Sequence, residues 1–291
     1  SNYGKPGYRV QASDIFLESR PTHSPTSLMD PQTGQLAGDE QTRITVLNSQ
    51  LVVGDVPLFY LPKLSFLADD YSIPLIGVDG GDDRIFGAKL RTRWDAFQLF
   101  GLQRPEGLDA NWALSGDYLS QRGPAIGTDG KYGGIDAFGN IFGGTGLAYY
   151  INDSGDDNLG SDRRALAPET TNRGILQGQH RHFFEQSNLT LDAEVGIASD
   201  RNFREQYRRR EFDSDMDLET LVNARQVFDE NWQGSLLARS TINEFENNTA
   251  WLPRGDLYSL GEPLLGGLLN WSSHTSAAFA SLHQADAPTN P

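Results

Sequence analysis

Cysteine is absent from the 291 residues, which excludes disulfides, thiolate metal sites and thiol catalysis together. No run of about 18 apolar residues occurs either, so no transmembrane helix is encoded. That absence leaves membrane-spanning strands open, because each carries a far weaker signal. The chain does not open on a charged-then-apolar secretory signal. Cationic residues are scarce: 24 Lys and Arg stand against 39 Asp and Glu, for a formal charge of -15 and a pI near 4.7. Neutralising phosphates needs a clustered basic excess, and the only local runs are Arg163–Arg164 and Arg208–Arg210, so no nucleic-acid partner is expected.

Motifs that carry bond chemistry are missing as well. The Gly-rich stretch Gly133–Gly146 holds no phosphate fingerprint and no G-K-[ST], so it reads as a flexible loop. There is no G-x-S-x-G elbow, and 39 acidic residues offer many carboxylate pairs but no glycosidase motif. Asp153, Asp156, Asp157 and Asp162 form an acidic loop whose oxygens suit Ca²⁺, although glycine is not placed as in an EF-hand and a solvated turn is the alternative. His180 and His182 share a strand face; they read as polar residues facing a wet interior, or as metal ligands with Glu185. No cofactor and no metal are expected.

What is present is glycine, 31 residues, with 10% aromatics and a mean hydropathy of -0.49, a composition that suits an all-β protein with many loops. Residues 8–18 and 42–53 are strand candidates by β-branched content, separated by a Pro/Ser/Thr/Gly/Asp-rich loop over Arg20–Gln41. Alternation puts Ile44 and Val46 on one face of the second strand and Leu47, Leu51 and Val53 on the other. From Phe86 the alternation becomes strict: Phe86, Ala88, Leu90, Thr92, Trp94 and Ala96 against Lys89, Arg91, Arg93 and Asp95. Leu189–Ile197 repeats it with Leu189, Leu191, Ala193, Val195 and Ile197, over about the nine residues that a tilted membrane strand needs. Further candidates are Trp112–Leu119, Thr145–Asn152, Ile175–Phe184, Leu218–Val227, Trp232–Ile242, Leu264–Trp271 and Thr275–Leu282, giving about nine strands beyond residue 66 with no competing helical period.

The texture changes across Leu51–Phe66, LVVGDVPLFYLPKLSF, where Pro57 and Pro62 bracket an apolar and aromatic run; it reads as a hinge between two β structures or as an ordinary edge strand with turns. DVPLFYLPKLSF resembles the segment that joins a periplasmic β-jellyroll to a transmembrane β-barrel in the LptD family (also called OstA or Imp) of lipopolysaccharide assembly proteins. Further stretches resemble the family in the same order: DDNLGSDRR (156–164), GQHRHFF (178–184), ASDRNFREQYRRREFD (198–213), NEFENNTAWLPRGDLYSLGEPL (243–264) and HTSAAFASL (274–282). The chain departs from the family pattern at Lys63 and Leu67, and without cysteine it lacks the disulfides that some members carry.

The resemblance implies an all-β chain: the end of a periplasmic jellyroll with its hinge over residues 1–66, then the N-terminal strands of an outer-membrane barrel over 67–291. Ser1 would then lie inside a longer precursor. It implies lipopolysaccharide transport to the outer leaflet without catalysis, lipid acyl chains passing Ile44, Val46, Leu47, Leu51 and Val53, and a lateral gate weakened by Pro57, Pro62 and Pro74. Arginine forks suit the phosphates of the lipid, so Arg201, Arg204 and Arg208 are candidate contacts; a strand-turn-strand connection with salt-bridged charges is the alternative. Implied partners are a plug lipoprotein of the LptE type, a bridge protein of the LptA type and the barrel-assembly machinery. The competing class is a secreted acidic β-rich polysaccharide-binding protein or glycoside hydrolase.

Overall fold

The structure is a computed structural model that describes residues 8–21, 40–53, 56–67, 74–105, 107–160, 162–214 and 217–287. It is all-β, built on large antiparallel sheets, and divides into two compact units, residues 1–77 with 94–104 and residues 78–93 with 105–291. No described helix is long and apolar enough to cross a membrane.

The first unit holds a four-stranded antiparallel sheet of β1 (Tyr8–Gln11), β2 (Asp14–Pro21), β3 (Glu40–Val53) and β4 (Val56–Leu67). The long β3 is its spine: β2 and β1 pair in succession along one side of it and β4 along the other. The presumed hinge is therefore mostly β4, an edge strand. Arg20 and Gln41, placed in a loop by composition, pair with each other across β2 and β3. The rest of that loop, residues 22–39, lies outside the described residues.

The second sheet has eleven strands in the order β17-β16-β15-β14-β13-β12-β9-β8-β7-β6-β5, open at both edges. Its strands are β5 (Leu75–Asp83), β6 (Gly87–Asp95), β7 (Leu108–Leu119), β8 (Gly123–Ile135), β9 (Ile141–Asn152), β12 (Asn172–Phe184), β13 (Leu189–Ala198), β14 (Thr220–Asp229), β15 (Trp232–Ser240), β16 (Asn248–Leu264) and β17 (Leu269–His283). A separate two-stranded ribbon joins β10 (Asp157–Gly160) and β11 (Arg163–Leu166). Three five-residue helices also occur, α1 (Ala96–Phe100), α2 (Phe203–Tyr207) and α3 (Arg209–Asp213). They are too short to show a helical period. Only α1 is announced locally: the Asp95 side chain accepts from the Gln98 N–H at its start, and Gly101 closes it at φ 63°.

The Gly-rich stretch taken for a loop is mostly strand. Residues 133–135 end β8, 141–146 begin β9, and only 136–140 turn. At Gly144 the neighbours crowd the backbone: a Cβ there would meet the Gln179 carbonyl oxygen at 2.5 Å and the Tyr132 hydroxyl at 2.6 Å. Near the other edge, the segment divided into strands at 264–271 and 275–282 is one strand, β17, preceded by a turn at 265–268.

At one end of the large sheet lie 136–140, 185–188, 230–231 and 265–268, none longer than five residues. At the opposite end lie 84–86, 120–122 and 241–247 together with the long connections 153–171 and 199–219. Against the long connections packs a core of Leu119, Ala125, Ile151, Ile175, Ala198, Phe203 and Leu218.

The turn at 136–140 is held by Asp136, whose carboxylate accepts from the backbone N–H groups of Phe138 and Asn140, from the Asn140 amide and from the His182 ring at 2.8, 2.8, 2.9 and 3.1 Å. The Asn140 side chain, with the Asn140 and Phe138 N–H groups and His182, holds the Asp136 carboxyl down from 3.8 to about 2. A lowered folded value stabilises above the unfolded value and is lost as pH falls through the folded one. Asp136→Asn should therefore lower the thermal midpoint above about pH 4 and match wild type below about pH 2; circular dichroism melts across that window check the convergence.

Candidate functional site

Register decides which side chains share a face of the large sheet. Asp129 lies opposite Leu147, which lies opposite Gln177, and this row continues to Gly196. The same face carries Asp117, Tyr149, Arg181, Asp192, Glu194, Asn223, Arg225, Arg254, Asp256 and His274 by alternation along the paired strands. Several of its charges are mated across strands, Arg93 with Asp129 at 2.5 Å, Arg181 with Asp192 at 2.5 Å and His274 with Asp256 at 2.8 Å, and Arg254 pairs with Asp256 along β16 at 2.8 Å. The opposite face carries Leu114, Ile126, Ala148, Leu176, Leu191, Val195, Val222, Leu236, Leu257 and Ala277, and much of it is open: Ile126 is 64% exposed, Leu236 56% and Leu176 46%.

His180 and His182 stand on this apolar face, contrary to a wet-side placement. Alternation gives Gln177, Gln179 and Arg181 to the polar side, and so the histidines go with Leu176 and Phe184. His180 lies 2.8 Å from the Tyr132 hydroxyl, and His182 stacks on Phe184 with centroids 4.3 Å apart. Glu185 is exposed, and no group of His, Cys, Asp and Glu among the described residues is placed to hold a metal ion.

In the first unit, Ile44 is half-buried opposite Leu17 and Phe66, Val46 is buried opposite Ile15 and Leu64, and Leu47 lies opposite Asp14 and Lys63. Leu51 and Val53 are placed by register alone, opposite Phe59 and Val56. Strict two-face alternation fails along β3. Asn48 takes φ 49° and the register shifts after Leu51, so the buried side chains run Val46, Ser49, Val52. Pro57 and Pro62 belong to β4, whose ladder partner is β3, so the donors they lack belong to the four-stranded sheet and not to an edge of the large one. Pro74 alone borders β5; it is buried, and its carbonyl accepts from the Asp95 N–H at 2.6 Å.

The arginines proposed for phosphate contact are on or beside α2 and α3, which replace the expected strand-turn-strand connection. Arg201 donates to Glu169 at 2.8 Å and to the Asp286 carbonyl at 2.9 Å, Arg204 to the Glu211 carbonyl at 3.3 Å, and Arg208 pairs with Glu211. All three donate within the chain.

The densest constellation was not anticipated. Arg173, at the start of β12, is fully buried and spends its donors on three aspartates. Its Nε and Nη2 donate to Asp200 at 2.9 and 2.8 Å, its Nη1 to Asp153 and Asp157 at 3.0 and 2.5 Å, and Nη2 again to Asp157 at 3.2 Å. Arg122, equally buried in the β7–β8 turn, donates to Asp153 at 3.3 Å and lies 3.6 Å from Asp157. The Tyr207 hydroxyl donates to Asp153 at 2.6 Å, and the two guanidinium groups lie over the rings of Phe86, Phe203 and Tyr207. Burial, then the bond to Asp153, pushes the Tyr207 hydroxyl well above its ordinary range, so it stays a donor. Asp153 and Asp157 thus pair with guanidinium groups; Asp156 and Asp162 are exposed. No spacing in the sequence could show this, because the partners come from four separate connections.

No protein-family model matches the chain, and no curated protein matches it.

Removing one partner of a buried ionic group strands the rest, which costs about 3–5 kcal/mol. Arg173→Met should therefore loosen the long connections, with faster proteolytic cleavage within 153–171 and 199–219 while the eleven-stranded sheet keeps its circular dichroism.

Proposed function

We propose that the large sheet is an arc of an outer-membrane β-barrel, with its apolar face toward lipid and its ion-paired face toward a wet lumen. The observation that carries this is the exposed apolar face, continuous across adjacent strands and backed by a charged one. A secreted polysaccharide enzyme would have to cover such a face, since soluble proteins rarely expose large contiguous apolar patches. Two other features support it. The two longest connections, 153–171 and 199–219, share one end of the sheet, as the longer extracellular loops of such barrels do. Near the short-turn end, Tyr132, Phe142, Phe184, Trp232 and Trp271 stand on the apolar side, and Tyr118 and Tyr150 stand near the other end, where aromatic girdles meet the two interfaces.

From the resemblance of the quoted segments to the LptD family, the barrel's cargo is lipopolysaccharide, handed from the periplasmic first unit and released into the outer leaflet without bond chemistry. A plug lipoprotein, a jellyroll bridge protein and the barrel-assembly machinery would be its partners.

On this reading Val195→Arg should block membrane assembly, since a cation near the bilayer midplane costs roughly 2–4 kcal/mol. Glu194→Arg, one residue away on the polar face, should assemble at wild-type levels. Heat-modifiable migration of the membrane fraction reads both, and equal behaviour of the two variants refutes the facing. Transport has its own test: a photo-crosslinking residue at Ile44 should yield a lipopolysaccharide adduct in cells, and no adduct there speaks against passage of lipid along β3.

A further inference from the structure

The cluster around Arg173 does not balance. Asp153, Asp157 and Asp200 bring three carboxylates, Arg122 and Arg173 bring two guanidinium groups, and all five side chains are 0–2% exposed. One negative charge is left over where water cannot screen it, and an uncompensated buried charge is neutralised by taking up a proton. The surroundings do not supply the missing cation. From α2, Tyr207 brings only a hydroxyl, and Glu205 faces outward to Arg163 and Arg209 at 2.8 and 3.5 Å. Phe86 and Phe203 bring only rings.

Donor counts decide which carboxyl keeps the proton. Asp153 accepts from Arg122, Arg173, Tyr207 and the Gly155 N–H. Asp200 accepts twice from Arg173, and from Ser199 and the Asn202 N–H. Among the described residues Asp157 accepts from Arg173 alone, with Arg122 at 3.6 Å. It is the least compensated of the three.

We propose that Asp157 holds a proton in the folded protein and that the long connections 153–171 and 199–219, with the 120–122 turn, form a pH-responsive clasp that loosens when this proton leaves. The direction agrees with the environment: burial pushes the Asp157 carboxyl up from 3.8, with the nearby Asp200 charge adding to the rise and Arg173 and Arg122 opposing it. A raised folded value means that the clasp's contribution is present on the acid side and fades as pH climbs through that value. The alkaline form sets three carboxylates against two arginines, so Asp157 separates first and frees β10, whose Asn158 N–H bonds Gln206 of α2 at 2.8 Å.

The test uses the whole chain folded in detergent micelles, with aspartate isotope-labelled at its side-chain carboxyl. Infrared spectra across a pH series should show a protonated-carboxyl stretch that is present at the acid end, disappears as pH rises and is missing from Asp157→Asn. Hydrogen exchange, corrected for the intrinsic rate, should speed up at least tenfold across 153–160 and 199–207 as the band vanishes in wild type and stay flat in Asp157→Asn. Absence of a protonated carboxyl at the acid end overturns the proposal, as does a band that persists in the asparagine variant. If that variant fails to fold, the wild-type spectrum decides alone: a band lost together with protection supports the clasp, and protection independent of pH refutes it.

Discussion

Side-chain alternation with a period of two, locked by strand register, is the constraint on which the large sheet depends. A one-residue slip of β13 against β12 would bring Asp192 and Glu194 to the apolar side and turn Leu191 and Val195 to the charged one. The cross-strand pairs Arg93–Asp129 and Arg181–Asp192 reinforce the register, because each forms only when both strands keep phase. Backbone pairing is the same everywhere along a ladder; the two chemically opposite faces make it unique.

At the long-connection end the logic changes from stripes to a compact core. The polar face there turns apolar, with Ile151, Ile175 and Ala198 under Phe203 and Leu218, and the charges most deeply buried among the described residues there are the mutually bonded Arg122, Arg173, Asp153, Asp157 and Asp200. Buried ion pairs are weak contributors to net stability but strong specifiers, since each half is costly without the other. One arginine with all its donors engaged therefore ties 153–157, 199–200 and the start of β12 into a single arrangement, and surface pairs such as Arg209–Asp213 add little to it.

Local pattern revealed what depends on local pattern. The alternation in 86–96 and 189–197 located β6 and β13, and β-branched content located β3. Strands interrupted by glycine or proline escaped, because β8 (GPAIGTDGKYGGI) and β16, with Pro253 and Gly255, break the composition rule while their ladders remain paired. The histidines were misassigned since polarity was weighed above parity. Pro57 and Pro62 were visible as donors lost, but only pairing shows which sheet loses them. The Arg173 cluster was out of reach for a plain reason: its members span positions 122 to 207 and meet only through topology.

Because the native chain has no cysteine, single cysteines report on facing without background. The most direct measurement is the reaction of a membrane-impermeant maleimide with single-cysteine variants along β13, in the protein assembled in lipid bilayers. Thr190→Cys, Asp192→Cys and Glu194→Cys should label readily from water, while Leu191→Cys, Ala193→Cys and Val195→Cys should stay unlabelled until detergent is added. Uniform labelling of all six, or labelling of the odd-numbered set alone, would contradict the two-faced sheet in a membrane.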